Sequence, residues 1–567
     1  MLIASLASAQ TVSDALMFGQ NNYYGTARTL GMGNAVTAVG GDLGTIAINP
    51  AGGAVSSFSQ FSFTTGWLTA SGVSSYASSY DPATQTADFK GAFEDNKHRV
   101  IVPNIGMNLY FETGERYGVK GWNFGFILNR SQTYTQMMSA TGLEGHTSMT
   151  GALAAGADGM PGNILGNDSK FDTNYAWNSI CAYDGGLINY NSDAGTYYGS
   201  AETVTKNGDN YEYEVRGWLN QKLGTTTIGS KNELIMNYGV NIDDRIFLGL
   251  SMNCPIISSK FSEYYREDVQ DYSDFPVTPE YFVPSRGQYE KGDPTHYLGS
   301  TYKYSIVSDI SGINLQLGAI WLPTDGLRLG AAFQTPTGYT IKERWCVDTD
   351  AQFVDSAQNA SSSSPMAEST YQYRAPYCAN FGVAYTIGRV GLVSIDYELT
   401  DFSVMKFSQS YEDEIYSHSD PFYAVNRLNK LFCGVSHAVR AGAEFRVHPN
   451  ISVRAGLNYV TSPERHYLDS DGLPVYVSDY DANFNDYESG IKTIKGSAVY
   501  EDDSHLSLTC GLGYSSSGSF YADLAFRHSN LPDSYYRPYS NYLNVVSPTV
   551  HTKHTLMDAV MTIGWRF

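Results

Sequence analysis

Seven charged side chains interrupt stretches that otherwise alternate apolar with small or polar residues. Asp396 and Glu398 lie in "VSIDYEL", Arg440 and Glu444 in "AVRAGAEF", Arg454 in "SVRAGL", and Asp523 and Arg527 in "ADLAFRH". Neighbouring side chains of an extended chain point to opposite faces, so each charge is turned away from its greasy neighbours. Both signs on successive segments allow two kinds of chemistry: ion pairs that brace a wall, or a charged lining that filters what passes along it. Bracing is the plainer reading.

Other constellations lead nowhere. His528-Ser529-Asn530 has residue types suited to nucleophilic catalysis, but a triad is built by convergence in space, which neighbours on one strand do not achieve, so no catalytic residue is expected. The six cysteines form no CxxC pair and no zinc-spaced cluster with histidine, so neither metal nor cofactor is expected. Cys254 and Cys510 continue apolar faces as small hydrophobes, while Cys181 and Cys346 fall in expected loops and are free to pair in an oxidising compartment. Asp479, Asp481, Asn483 and Asn485 imitate the start of a calcium loop. Phe484 stands where its turn needs Gly, and Gly490 where it needs Glu, which leaves a solvated acidic loop. A net charge of −21 excludes nucleic acid as a partner.

The elements that must position these residues show a two-residue rhythm. Trp122, Phe124, Phe126 and Leu128 share one face, and Asn123, Gly125 and Asn129 the other. The rhythm recurs in fourteen segments, at about 57 to 68, 101 to 112, 119 to 129, 232 to 242, 245 to 255, 311 to 321, 326 to 335, 377 to 386, 390 to 400, 437 to 447, 451 to 461, 504 to 514, 518 to 528 and 553 to 567. The chain has 567 residues, of which only 16 % are charged, and no Pro-, Ser- or charge-rich linker divides it.

Connections alternate in length. Short, turn-rich ones ("TGERYG", "DD", "PTDG", "IGR", "HPN", "SSSG") follow the even-numbered segments and long ones the odd. No run of roughly 18 apolar residues exists to cross a membrane as a helix. Short turns at one end and long loops at the other, with an even strand count, predict an antiparallel fourteen-stranded outer-membrane β-barrel with both termini periplasmic. A closed sheet leaves no backbone group unpaired in lipid. A soluble all-β protein is the alternative.

Leu2, Ile3, Ala4 and Leu6 lead into Ala7-Ser8-Ala9 before Gln10, the pattern that ends a secretory signal; a plain disordered start is the alternative. The expected division is 1–9 as signal remnant, 10–56 as an N-terminal segment, and 57–567 as barrel, with long loops at 130–231, 256–310, 336–376, 401–436 and 462–503.

The N-terminal segment contains "GMGNAVTAVGGDLGTIAINPAGGA". Its glycines suit compact turns and close backbone approach inside a barrel, and Asn49-Pro50 suits a turn with Asn49 extended. With the preceding "GTARTL", this stretch resembles the hatch of the FadL/TodX family of outer-membrane hydrophobic-compound transporters, whose Asn-Pro-Ala element is matched by Asn49, Pro50 and Ala51, with Gly52 following. "LRLGAAFQTPT" and "YRAPYCANFGVAYTIGRVGLVSIDYELTDFS" are similar to strand pairs of that family, whereas the long loops show no usable likeness.

The resemblance implies a hatch that plugs the lumen, a small hydrophobic ligand captured among external loops, and release into the outer-membrane lipid through a kink in the third strand, for which Gly121 and Gly125 are the candidates. A closing aromatic, Phe567, resembles the signal read by the barrel-assembly machinery. Acidic loops without a basic cluster depart from a fatty-acid pattern, although Arg440 or Arg454 could serve a carboxylate. The rival reading is a docking barrel whose Tyr-rich loops bind protein partners.

Overall fold

The structure, a computed structural model, describes residues 11–78, 88–165, 170–171, 175–208, 210–277, 295–410, 421–468, 474–475, 499–500, 504–539 and 545–567. Fourteen barrel strands are present: β1 (Gln60–Ala77), β2 (Lys90–Glu112), β3 (Val119–Thr133), β4 (Leu219–Ile242), β5 (Ile246–Val269), β6 (Thr295–Trp321), β7 (Leu327–Gln334 and Gly338–Phe353), β8 (Ala367–Arg374 and Cys378–Ile387), β9 (Gly391–Asp401 and Lys406–Gln409), β10 (Val435–His448), β11 (Ile451–Val460), β12 (His505–Ser515), β13 (Phe520–Asn530) and β14 (Thr549–Arg566). Each pairs antiparallel with the next, and β14 returns to β1 from Gln60↔Arg566 to Ala77↔Thr549. The sheet closes. Ser59 and Phe567 complete the seam by exchanging backbone hydrogen bonds at 3.0 and 2.9 Å.

Alternation explains the two surfaces. Outward rows such as Ile246, Leu248, Leu250 and Ile256, or Ile313, Leu315, Leu317 and Trp321, are exposed and apolar. From Ile246 to Ile256 the strand climbs about 25 Å at the usual tilt, the height of an outer-membrane apolar band. Above it the outward residues of β5 become Ser258, Lys260 and Ser262.

Several strands run well past their expected ends. β4 starts at Leu219 rather than 232, β5 continues to Val269 rather than 255, and β6 starts at Thr295 rather than 311. The outward face there meets water, so apolar alternation stops, while the inward face continues to pack, as Tyr265 and Tyr302 do. Much of the expected loops 130–231 and 256–310 is therefore strand. What lies between β3 and β4 includes a folded cap with helices α4 (Met149–Ala157) and α5 (Trp177–Asp184). Glu267 at the top of β5 holds this cap by accepting from the Met149 N–H at the start of α4 (3.0 Å).

The wall is interrupted in one place. β2 and β3 pair from Glu112↔Gly121 only as far as Asn104↔Asn129, although β2 continues beside β1 to Lys90. β3 shifts register against β4 between Arg130 and Gln132. The chain that follows it, Gln136–Gly145, stays with β4 and passes over the inner face of β1, its Met137 carbonyl lying where a Cβ on Gly72 would stand.

Candidate functional site

The barrel's interior is filled by the segment before β1. Its helices are short because caps start them and glycines or a proline end them: α1 (Val12–Gly19) begins with a reciprocal Thr11–Asp14 capping box, α2 (Ala27–Gly31) at Thr26, and α3 (Leu43–Ile46) at Asp42. Thr26 donates its hydroxyl to Asp42 at 2.6 Å, tying two caps together. Asn49 is extended (φ −139°), as a residue before proline should be, and Pro50–Gly52 forms one 3₁₀ turn. Its side chain is fully buried, accepting from Ala51 N–H (3.0 Å) and donating to the carbonyls of Thr37 (2.7 Å) and Ala319 (3.2 Å).

A loop-rich segment away from water must find partners for its backbone. The inward amides of the wall supply them. Asn108 donates to Gly53 O, Asn237 to Pro50 O and Gln316 to Ile48 O, each at 3.0 Å, and Arg328 to Val39 O at 2.6 Å. This is why the polar face of the strands is rich in Asn and Gln.

The wall also yields room. Gly239, Gly249 and Gly318 lie side by side across β4 to β6, Gly330 faces Gly382, and Gly442 faces Gly456. Hatch residues crowd the place of a Cβ at each: Ala54 at Gly239, the Pro50 carbonyl at Gly249, the Asn49 side chain and Pro50 at Gly318, Thr37-Ala38 at Gly330 and Gly382, and Met32-Gly33 at Gly442 and Gly456. Gly33 itself has φ +62°, and a Cβ on it would stand 2.7 Å from Leu457 N. Sequence reasoning assigned close approach to the hatch glycines alone, although the matching wall glycines stand at inward positions of their strands' alternation.

The seven lumen charges all point inward and converge on the hatch. Asp396 accepts from Thr37 N–H at 2.7 Å. Arg440 pairs with Glu398 at 2.8 Å, and Arg454 with both Glu444 and Asp523 at 2.6 Å. Arg527 pairs with Asp558 at 2.7 Å and also donates to Asn22 Oδ1 of the hatch. Arg28 joins the network through Glu444 at 2.9 Å. Asp558 and Arg28 were absent from the expected set, though Asp558 alternates with Met557 and Ala559 on the legible face of the last strand. The geometry is that of bracing.

The chain is an outer-membrane-type barrel plugged by its own hatch. The break in its wall lies away from the two candidate glycines: Gly125 is regularly paired with Asn108 and Asn237, whereas Gly121, near the short turn, adjoins a register shift of β3 against β4 at Val119/Gly121. It lies one turn of pleat above Asn104. Pro103, preceding it, removes a ladder donor and occupies a bulge against β1, where Thr64↔Asn104 is followed by Gly66↔Ile101. That proline in "VIVPNIG" was the readable signal. Among the described residues side-chain hydrogen bonds bridge the break, Arg99 donating to Thr135 Oγ1 at 3.4 Å and Ser139 to Asp95.

Inside this break and above the hatch lies an apolar mass: Val12, Leu16 and Phe18 of α1 pack with Tyr134, Tyr339, Tyr373, Phe402 and Phe432, the last on helix α6 (Tyr423–Phe432). Lys231, only 3 % exposed, points into its edge. Its ammonium donates to Asn21 Oδ1 at 2.8 Å and Phe18 O at 3.4 Å and sits 5.6 Å from the Tyr339 ring. Among the described residues no carboxylate lies within ion-pair distance of it, whereas Arg440 and Arg454 are spent on carboxylates. Lys231 stands outside the expected strands, at the end of the expected loop 130–231, because apolar alternation is weak there.

The remaining candidates separate. His528 faces outward while Ser529 is buried inward against Ser507 (2.7 Å), so the two diverge. Cys181 is buried in α5, Cys346 faces Ser305 on the outside of β7, and all six cysteines are free thiols. The calcium-like stretch 479–490 lies outside the described residues. An apolar groove of about 450 Å³ between Trp67, Leu508, Phe526 and Met557 faces lipid, not lumen.

No protein-family model and no curated protein matches the chain. In solved structures the hatch barrel is similar to a FadL homologue of Pseudomonas aeruginosa, at 11 % identity over 97 % of this chain and 100 % of that one, with a TM-score of 0.49. The CymD monoaromatic hydrocarbon channel aligns over 96 % and 97 % at 11 % identity with a TM-score of 0.44. The Pseudomonas putida toluene transporter TodX aligns over 97 % and 100 % at 11 % identity with a TM-score of 0.42.

Proposed function

We propose that this barrel carries small hydrophobic molecules, such as fatty acids or aromatic compounds, passively across the outer membrane, with both termini periplasmic and exit sideways into lipid between β2 and β3. The observation that carries the reading is the end of β2–β3 pairing at Asn104↔Asn129, beside the buried apolar cluster around α1. An apolar solute gains roughly 25 cal/mol per Å² removed from water. It therefore favours a path from the packed interior to the bilayer over one through the ion-paired hatch. The hatch, with Asn49, Pro50, Ala51 and Gly52 at its pivot, closes the periplasmic route, and Lys231 offers the carboxylate end of an amphiphile a buried cation.

The test uses vesicles containing a variant without native cysteines and with Arg99→Cys and Thr135→Cys, positions whose side chains meet across the break. A short bis-thiol cross-linker should abolish uptake of a fluorescent hydrophobic probe, and reversal of the link should restore it. Unchanged uptake with the break stapled rules out lateral exit. The docking reading draws on the folded cap around α4 and α5, which has its own apolar cluster; full activity of a barrel alone in vesicles speaks against it.

A further inference from the structure

We propose that one arc of the barrel's outer surface, on β5 to β9, binds the phosphate-bearing headgroups of outer-leaflet lipid. Lys260, Lys342, Arg344, Arg374 and Lys406 all point outward and are exposed. They are among the first charged residues above the apolar band: on β8 the outward row Ile387, Tyr385, Val383, Phe381 and Tyr377 gives way directly to Arg374. That height is where lipid headgroups lie.

The arc is contiguous through the sheet register. Lys260 and Arg344 both face Val307, Lys342 faces Asp309, and Arg374 faces Lys406 directly. Acids share it as well: Asp309, which pairs with Arg344 at 2.8 Å, Glu368, opposite Arg344, and the half-buried Asp401 on the outward row of β9, whose carboxylate accepts from Ser403. The balance is basic in a chain of net charge −21.

The Arg374–Lys406 pair is the second observation. Like charges directly opposite each other on one face of a sheet repel, and neither residue has a carboxylate within ion-pair distance among the described residues; Arg374 donates only to Val404 O, at 3.4 Å. An anion between the two side chains removes the repulsion. A phosphate suits them, since guanidinium and ammonium are its usual donors. The lipid, rather than free phosphate, is the source because its acyl chains lie against the apolar row directly below.

The experiment compares retention of lipid A bisphosphate with that of its dephosphorylated form by the full-length barrel in zwitterionic vesicles. Each Lys or Arg near a membrane surface contributes roughly fivefold. The triple variant Lys342→Gln, Arg374→Gln, Lys406→Gln should therefore hold the bisphosphate about a hundredfold more weakly, with the dephosphorylated lipid unaffected. Lys553→Gln, on the opposite wall, should change nothing, and Lys406→Gln alone should give an intermediate loss if the triple variant does not fold. Equal retention of both lipids, an unweakened triple or single variant, or full competition by inorganic phosphate at equal concentration overturns the proposal.

Discussion

Arg28 of the hatch and Glu444 of the barrel wall are 416 residues apart in sequence and 2.9 Å apart in space, and Glu444 simultaneously holds Arg454 at 2.6 Å. One carboxylate thus ties the plug to two neighbouring strands. Glu444→Gln leaves Arg28 without its counter-charge in a partly dry interior and Arg454 with Asp523 alone, a loss of about 3 kcal/mol. Amide exchange at Ala27 to Gly31 should accelerate by about a hundredfold, while the barrel keeps its heat-resistant mobility on gels. Unchanged exchange would mean that the ion pair does not secure the hatch.

Asn49 makes three hydrogen bonds from a fully buried side chain. Asn49→Ala strands the Thr37 and Ala319 carbonyls and should cost about 2–4 kcal/mol of hatch docking. Uptake of hydrophobic probes is expected to rise as the plug loosens. Asn49→Asp, which keeps the acceptor toward Ala51 but loses both donors, should behave like Ala; wild-type uptake in both variants would remove Asn49 from the gate.

Lys231 offers a way to tell ligand classes apart. Its replacement by Met preserves apolar bulk but removes the buried cation beside the α1 cluster. Uptake of long-chain carboxylates should fall about tenfold, and uptake of a neutral aromatic should not change. An equal fall for both would assign Lys231 to hatch packing alone.

The external cap carries a pH dependence of defined sign. Burial pushes the Glu202 carboxyl from 4.5 up to about 7, with Glu267 and Asp158 nearby adding to the rise against the Gly199 N–H that it accepts at 2.7 Å. The folded cap therefore holds a proton that the unfolded chain has lost. Its stabilisation is complete below about pH 4.5 and is lost as pH rises through about 7. Exchange protection of the cap amides around Gly151 and Gly199 should decline across that window and then level off. In Glu202→Gln the decline should flatten.

The fourteen-strand barrel was legible in the chain because alternation is a local consequence of the pleat, and an apolar face against a polar one needs no knowledge of partners. Glycines and Asn-Pro marked the turns of the leading segment, and its resemblance to a family hatch implied the plug. Strand ends were not, since β5 beyond Ile256 meets water and loses the contrast on which the pattern depends, although its ladder with β6 continues. The site was readable in kind but not in place. Asp396, Glu398, Arg440, Glu444, Arg454, Asp523 and Arg527 were identifiable as inward, yet pairing distances arise only when fourteen strands are wrapped round one plug.

By itself, then, the amino-acid order determined which face of each strand meets lipid, where the turns fall, and that the leading segment is compact. Only the tertiary structure decided that β2–β3 pairing ends at Asn104↔Asn129, beside Pro103 and the shifted register at Arg130, and that Lys231 has no carboxylate within ion-pair distance among the described residues while Arg440 and Arg454 are paired. Face and turn depend on neighbours a few residues away. A break between strands, or a buried cation with no carboxylate at ion-pair distance, depends on which distant partner arrives and which does not.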